Sequence, residues 1–201
     1  MSDYTVETIN LSPLLRIRIE YDTDAQEPES DIVKITYRDS SRYTLGTEGV
    51  SDDERDALQE RWNKGEIIAL PVYAYVHGRA TIRCAQSNPF KCQWDSGQSG
   101  IAYMTRKDAL ENWGKKILTA KVREAAYACI RAVVEEFDQY LTGDVYGYIV
   151  ETRESEDDDW EHADSCWGFF GREYVKEEAM SVANYHAKQQ AKEVDERAHW
   201  A

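Results

Sequence analysis

Polar and apolar residues alternate strictly along Leu15-Arg16-Ile17-Arg18-Ile19-Glu20-Tyr21, and a period of two is the mark of a half-buried strand. Asp31 to Arg38 alternates as well, with Ile32, Lys34 and Thr36 on one face and Val33, Ile35 and Tyr37 on the other. Neither face is wholly polar, which predicts a strand covered on both sides. Ile67 to Val76 is an almost unbroken apolar run containing Pro71, read as a strand with an edge or a bulge at the proline. Ala80 to Cys84 follows as its hairpin partner across a His77-Gly78 turn, and Gly100 to Met104 reads as a short strand. Val145 to Thr152 and Glu161 to Phe169 read as the two strands of a hairpin.

Between these runs the period lengthens. Ser51-Asp52-Asp53-Glu54 fits a capping box. The helix it opens runs to about Lys64, stops at Gly65, and shows a narrow stripe of Ala57, Leu58 and Trp62. Thr105-Arg106-Lys107-Asp108 opens a short helix ending near Gly114. The longest helix runs from Thr119 to about Thr142. Its Val122, Ala126, Cys129, Ile130, Val133, Phe137, Tyr140 and Leu141 recur at three- and four-residue spacings. A last helix spans about Arg172 to His199, with sparse apolar positions at Val175, Ala179, Val182, Ala183, Tyr185, His186 and Val194; its end frays or binds a partner. The order predicts an α+β fold, a mainly antiparallel sheet packed against one long central helix, with a C-terminal helix. Residues 1–171 are expected as a single α+β domain and 172–201 as a C-terminal helical extension.

Composition narrows the function. In 201 residues, 42% are hydrophobic and 11% aromatic, which fits a folded chain. Thirteen Tyr and six Trp suggest that some aromatics serve a recognition surface. The net charge of −14 argues against direct nucleic-acid binding, which runs on Lys and Arg. It favours a protein partner with a basic surface, although acidity also serves solubility alone. The four cysteines, 84, 92, 129 and 166, form no Cys-x-x-Cys pair. With no apolar run near 18 residues and no N-terminal apolar region, we expect no signal peptide, no membrane association and reduced thiols in a cytoplasmic protein. The cysteine spacing is not that of a zinc knuckle. Asp157, Asp158 and Asp159 lack the alternating ligands and central Gly of a calcium loop. No phosphate loop, Gly-x-Ser-x-Gly or His-Glu-x-x-His occurs. No metal or cofactor is expected.

Three stretches pack Gly, Asp and large aromatics together: residues 92–100 (CQWDSGQSG), 137–148 (FDQYLTGDVYGY) and 164–171 (DSCWGFFG). They are expected to meet as one binding surface carrying Trp94, Asp95, Ser96, Gln98, Asp138, Gln139, Asp144, Tyr146, Asp164 and Trp167. Asp95 reads either as a binding or catalytic group or as an Asx turn; a tight turn has no need of Gln98. Asp144 follows a helix C-terminus, where the dipole disfavours a carboxylate, or else it caps the next turn. On the last strand Asp164, Cys166, Gly168 and His162 are expected on one face, with Ser165, Trp167 and Phe169 on the other. His162 and Cys166 would then lie about 13 Å apart, too far for a nucleophile pair, and Cys166 is expected buried and inert. A second candidate surface is the acidic run Glu154, Glu156, Asp157, Asp158 and Asp159, which must be solvated.

Those three stretches, with Leu70-Pro71-Val72-Tyr73-Ala74-Tyr75-Val76-His77-Gly78 before them, resemble a family of small bacteriophage and prophage proteins over about residues 66–171. Members carry an Asp–His pair in the first motif; here Val76 stands in place of that Asp. The resemblance implies a phage context, and hence the cytoplasm of an infected bacterial host. Three functions fit. The first is an acidic accessory protein that binds and inhibits a nucleic-acid-handling host protein, a defence nuclease or CRISPR effector, as a DNA-mimic or anti-CRISPR-like decoy. The second is a small metal-dependent hydrolase or nucleotide-processing enzyme using Asp95, Asp144 and Asp164. The third is a structural or oligomerising phage module, such as a homodimer.

Overall fold

In the alternating segment Leu15–Tyr21 (β2), Leu15, Ile17 and Ile19 are all buried. The coordinates are a computed structural model that describes residues 4–39 and 41–199, with side-chain environments of the last helix up to Lys192. The fold is α+β, with two mostly antiparallel sheets and four helices among the described residues. Two compact units divide the chain: one joins the segment up to Gln26 with everything from Gly143 onward, and the other runs from Glu27 to Thr142. The division expected at residue 171 is therefore not where the units part.

The discontinuous unit holds β1 (Thr5–Ser12), β2, β8 (Val145–Thr152), β9 (Glu161–Phe170) and α4 (Arg172–His199). The strands form one antiparallel sheet in the order β1-β2-β8-β9. Tyr146, Tyr148 and Val150 join Leu15, Ile17 and Ile19 on one face, and α4 covers them with Val175, Ala179 and Ala183. The residues from 172 on are thus part of this unit's core. Met180 and Val182 of α4 pack against this cluster while partly buried. Tyr185 is exposed, and the Val194 side chain lies outside the described residues. The opposite face is charged and internally paired. Arg16 Nε lies 2.6 Å and Arg18 Nε 3.3 Å from Glu151 Oε2, and Arg18 Nη1 lies 3.1 Å from Glu20 Oε1. That pairing is how Glu20 and Glu151 tolerate exposures of only 7% and 9%.

The continuous unit holds β3 (Lys34–Arg38), β4 (Glu48–Val50), α1 (Asp52–Asn63), β5 (Ile67–His77), β6 (Arg79–Cys84), β7 (Ser96–Thr105), α2 (Arg106–Asn112) and α3 (Ala120–Thr142). Its sheet runs β4-β3-β7-β5-β6, with only the β3–β4 pair parallel. β5 is apolar from Ile67 to Val72 because both its faces are covered there. Ile68, Leu70, Val72 and Ala74 meet α3 residues Ala126, Ile130, Val134 and Phe137, while Ile67 and Ala69 meet Leu58 of α1. Val134 is buried where the spacing favoured Val133. Pro71 is tolerated because its backbone faces the β6 side just beyond the end of that ladder: Pro71 O accepts from Ala85 N, outside the last pair Val72–Cys84. The bulge lies one residue on, between Val72 and Tyr73 against β7. The capping box forms as expected: Ser51 Oγ accepts from Glu54 N, and Glu54 Oε2 accepts from Ser51 N at 2.8 Å.

β1 and β4 were not apparent in the sequence. β3 begins at Lys34 rather than Asp31, and β7 starts four residues before the expected strand. The core of the continuous unit depends on α3. Phe137→Ala, at a fully buried position, is expected to destabilise it by about 3–5 kcal/mol through lost burial and a cavity. Ile117→Ala, at an exposed site, should stay within about 0.5 kcal/mol. Chemical denaturation followed by circular dichroism checks both; equal losses would refute this assignment of the core.

Candidate functional site

The residues expected to form one surface are divided between the two units. Trp94, Asp95, Ser96, Gln98, Asp138 and Gln139 belong to the continuous unit; Asp144, Tyr146, Asp164 and Trp167 belong to the other. Each group has its own local chemistry.

In the continuous unit, Val76 N donates to Asp95 O at 2.8 Å, so the residue before β7 is tied to the end of β5. This brings Asp95 to His77, whose Nδ1 lies 3.3 Å from Asp95 Oδ2. Cys92 Sγ donates to the same oxygen at 3.4 Å. Asn88 Nδ2 donates to Ser96 Oγ at 2.9 Å, and Ser96 Oγ donates to Cys92 O. Tyr75 stacks between His77 and Phe90. His77 therefore has a carboxylate partner, supplied by the Trp94-Asp95-Ser96-Gly97 stretch and not by position 76. Asp95 organises side chains across strands and is more than a local turn former. Trp94 projects fully beside this cluster, with 97% of its surface exposed.

Gln98 lies in strand and lines a cavity of about 320 Å³ between β3, β7 and α1. Asp138 is a structural group: its Oδ1 accepts from Thr81 Oγ1 at 2.6 Å and from Ile82 N at 2.8 Å, pinning α3 to β6.

In the discontinuous unit, Asp144 Oδ1 accepts from the Tyr146 hydroxyl at 2.7 Å, and Tyr146 stacks on Tyr21. Burial, followed by the Asp144 carboxylate, drives the Tyr146 phenol well above its ordinary range. Asp164 Oδ2 faces α4, 3.5 Å from His186 Nε2. Two bulges overturn the expected faces of β9. Between Val150 and Glu151 the register slips by one residue, and His162 Nε2 sits 3.0 Å from Ser165 Oγ, away from Asp164. Between Tyr146 and Tyr148 it slips again, at Gly168, whose φ of 86° favours glycine. Phe169 thereby moves to the α4 side against Tyr148 and Tyr174. Trp167 stays on the other face with its indole over Gly147. Cys166 is exposed, which corrects the expectation that it is buried.

The acidic run is the turn between β8 and β9, and residues 154–159 are all exposed. It is firmly built. Ser155 N and Oγ both donate to Asp158 Oδ2, at 2.9 and 2.7 Å. Arg153 donates to Pro13 O at 2.7 Å and to Glu156 O at 2.6 Å. Trp160 holds the base of the turn, with the guanidiniums of Arg16 and Arg153 lying 4.3 and 4.5 Å from its ring. The carboxylates of Glu154, Glu156, Asp157 and Asp159 make no ion pair among the described residues.

Among the described residues no group of three or more His, Cys, Asp or Glu is arranged to hold a metal ion, and no helix is long and apolar enough to cross a membrane. No family model, curated protein or solved structure matches the chain.

The thiols differ in environment. Burial pushes Cys84 up to about 11 and raises Cys129 above its ordinary value, whereas Cys166 lies in the open. Only the thiolate reacts, so alkylation of the native protein at pH 8 should mark Cys166 first and Cys84 last. Unfolding should erase the order. Because folding favours the neutral Cys84 thiol, its contribution to stability is complete below about pH 9 and lost as pH rises toward about 11. Peptide mass spectrometry of timed alkylation tests this; early labelling of Cys84 in native protein would contradict it.

Proposed function

We propose that this is a phage- or prophage-encoded accessory protein that acts by binding. In this reading the acidic turn between β8 and β9 docks on the basic nucleic-acid-binding surface of a host defence protein, a nuclease or CRISPR effector, as a decoy for nucleic acid. The observation that carries it is the turn itself: four carboxylates without ion-pair partners among the described residues, presented on a backbone fixed by Arg153, Ser155, Asp158 and Trp160. Fixed charges lose less conformational freedom on binding than mobile ones. Duplex DNA offers one negative charge per about 1.7 Å of axis, so closely spaced carboxylates suit the same basic groove.

The hydrolase reading has less support. Asp95 is engaged by His77 and Cys92, Asp144 by Tyr146 and Asp164 by His186.

The test uses the partner purified from the natural host by affinity to this protein. Glu156→Gln, Asp157→Asn, Asp158→Asn and Asp159→Asn together keep the hydrogen-bond acceptor at position 158 and remove the charge. Association should slow by about tenfold or more, with a smaller change in dissociation. Raising salt should have the same effect in the wild type and little in the variant. Duplex DNA should compete. Association indifferent to salt, to the quadruple change and to DNA would leave the acidity to solubility alone and sink the decoy reading.

A further inference from the structure

We propose that the wedge between β3 and β7 is a docking site for the carboxyl-terminal end of an extended peptide, which pairs with the free edge of β7 and sets its terminal carboxylate on Arg38 and Arg55. This site is distinct from the acidic turn and does not depend on the decoy reading.

The wedge is a product of register. β3 and β7 begin as a paired ladder, Lys34 with Tyr103 and Ile35 with Ala102. At the next step a side chain replaces the backbone: Thr36 Oγ1 accepts from Ile101 N at 3.0 Å and donates to Ile101 O at 2.9 Å. From there β3 turns to pair with β4, Thr36 with Glu48 through Arg38 with Val50. β7 continues along β5 alone, so among the described residues Ser96–Gly100 has a strand on one side only. At the apex a Cβ on Gly100 would lie 1.9 Å from the Thr36 carbonyl oxygen, so only glycine lets the strands close there.

An unpaired edge is a template for another strand, and peptides use such edges through main-chain hydrogen bonds. The cavity of about 320 Å³ at this edge is of the size that holds ligands. Its floor is apolar, from Val50, Leu58 and Ile101, and its rim is polar, from Arg38, Arg55, Gln59 and Gln98.

Charge selects the occupant. In a chain of net charge −14, the cavity lining holds two guanidiniums against one carboxylate, Asp56. Arg55 reaches Asp52 at 2.9 Å and Asp56 at 3.5 Å, and Arg38 reaches Asp52 at 4.0 Å. These are exposed pairs, weak in water, and a ligand carboxylate held by two guanidiniums can replace them. Because β3 and β7 converge at Thr36 and Ile101, an added strand cannot run through and must end inside the wedge. An amino terminus there would bring an ammonium against Arg38 and Arg55. A carboxyl terminus brings the complementary charge.

The test is amide NMR of the ¹⁵N-labelled full chain titrated with a randomised hexapeptide pool bearing free carboxyl ends, beside the same pool with amidated ends. The free-acid pool should shift the Gln98, Ser99 and Gly100 amides, and the amidated pool should not. Arg38→Gln with Arg55→Gln should weaken the response by about tenfold or more, with a dispersed spectrum showing that the fold persists. Four results would overturn the proposal: no shift at these amides with millimolar free-acid peptide, equal shifts from both pools, shifts that survive the double substitution, or equal shifts from acetate alone, which would make the site one for small carboxylates. The two pools are compared on the unaltered protein, so the outcome does not hang on the variant's folding.

Discussion

The seven-residue register between β2 and β8, from Leu15 with Thr152 to Tyr21 with Tyr146, is what the discontinuous unit hangs on. It joins segments separated by roughly 120 residues, and closing a loop of that length costs on the order of 4 kcal/mol. Burial offsets this cost. Ile17, Ile19, Tyr148 and Val150 are nearly or wholly removed from water, each worth about 1.5–3 kcal/mol. The other face of the same ladder must keep charges dry, which it does by setting Arg16 and Arg18 against Glu20 and Glu151. β9 is added to β8, and α4 to the face it completes, so the acidic turn inherits its fixed position from this pairing.

Small departures from regular pairing decide the chemistry of both units. Two bulges in β9 separate His162 from Asp164 and bring Phe169, partly buried, against the core on the α4 side. Beyond the Thr36 hydroxyl β3 leaves β7 for β4, which opens the wedge. A single backbone bond from Val76 to Asp95 places a carboxylate beside His77. Each of these features needs two strands in one register and not the adjacent one. The bulge at Gly168 and the apex at Gly100 also need glycine.

The acidic turn and the wedge also differ in kind. The turn presents charge to solvent, and the reach of its field is set by screening. The wedge sets a one-sided strand edge beside two arginines, features that are felt only in contact.

Sequence alone determined the elements whose causes are local. The alternation of Leu15–Tyr21, the Ser51–Glu54 capping box, the three- and four-residue spacing from Val122 to Phe137, and the solvated run Glu154–Asp159 all rest on neighbours a few positions apart, and all stand in the structure. It also singled out Gln98, because a tight turn does not need it. Only the tertiary structure decided the division at residues 26 and 142, the exposure of Cys166, the partnership of His77 with Asp95, and the gathering of Arg38, Arg55 and Gln98 around one cavity. The physical reason is strand register. It is fixed by which distant faces bury together, and a slip of one residue turns a side chain from core to solvent, so periodicity within a strand carries no record of it.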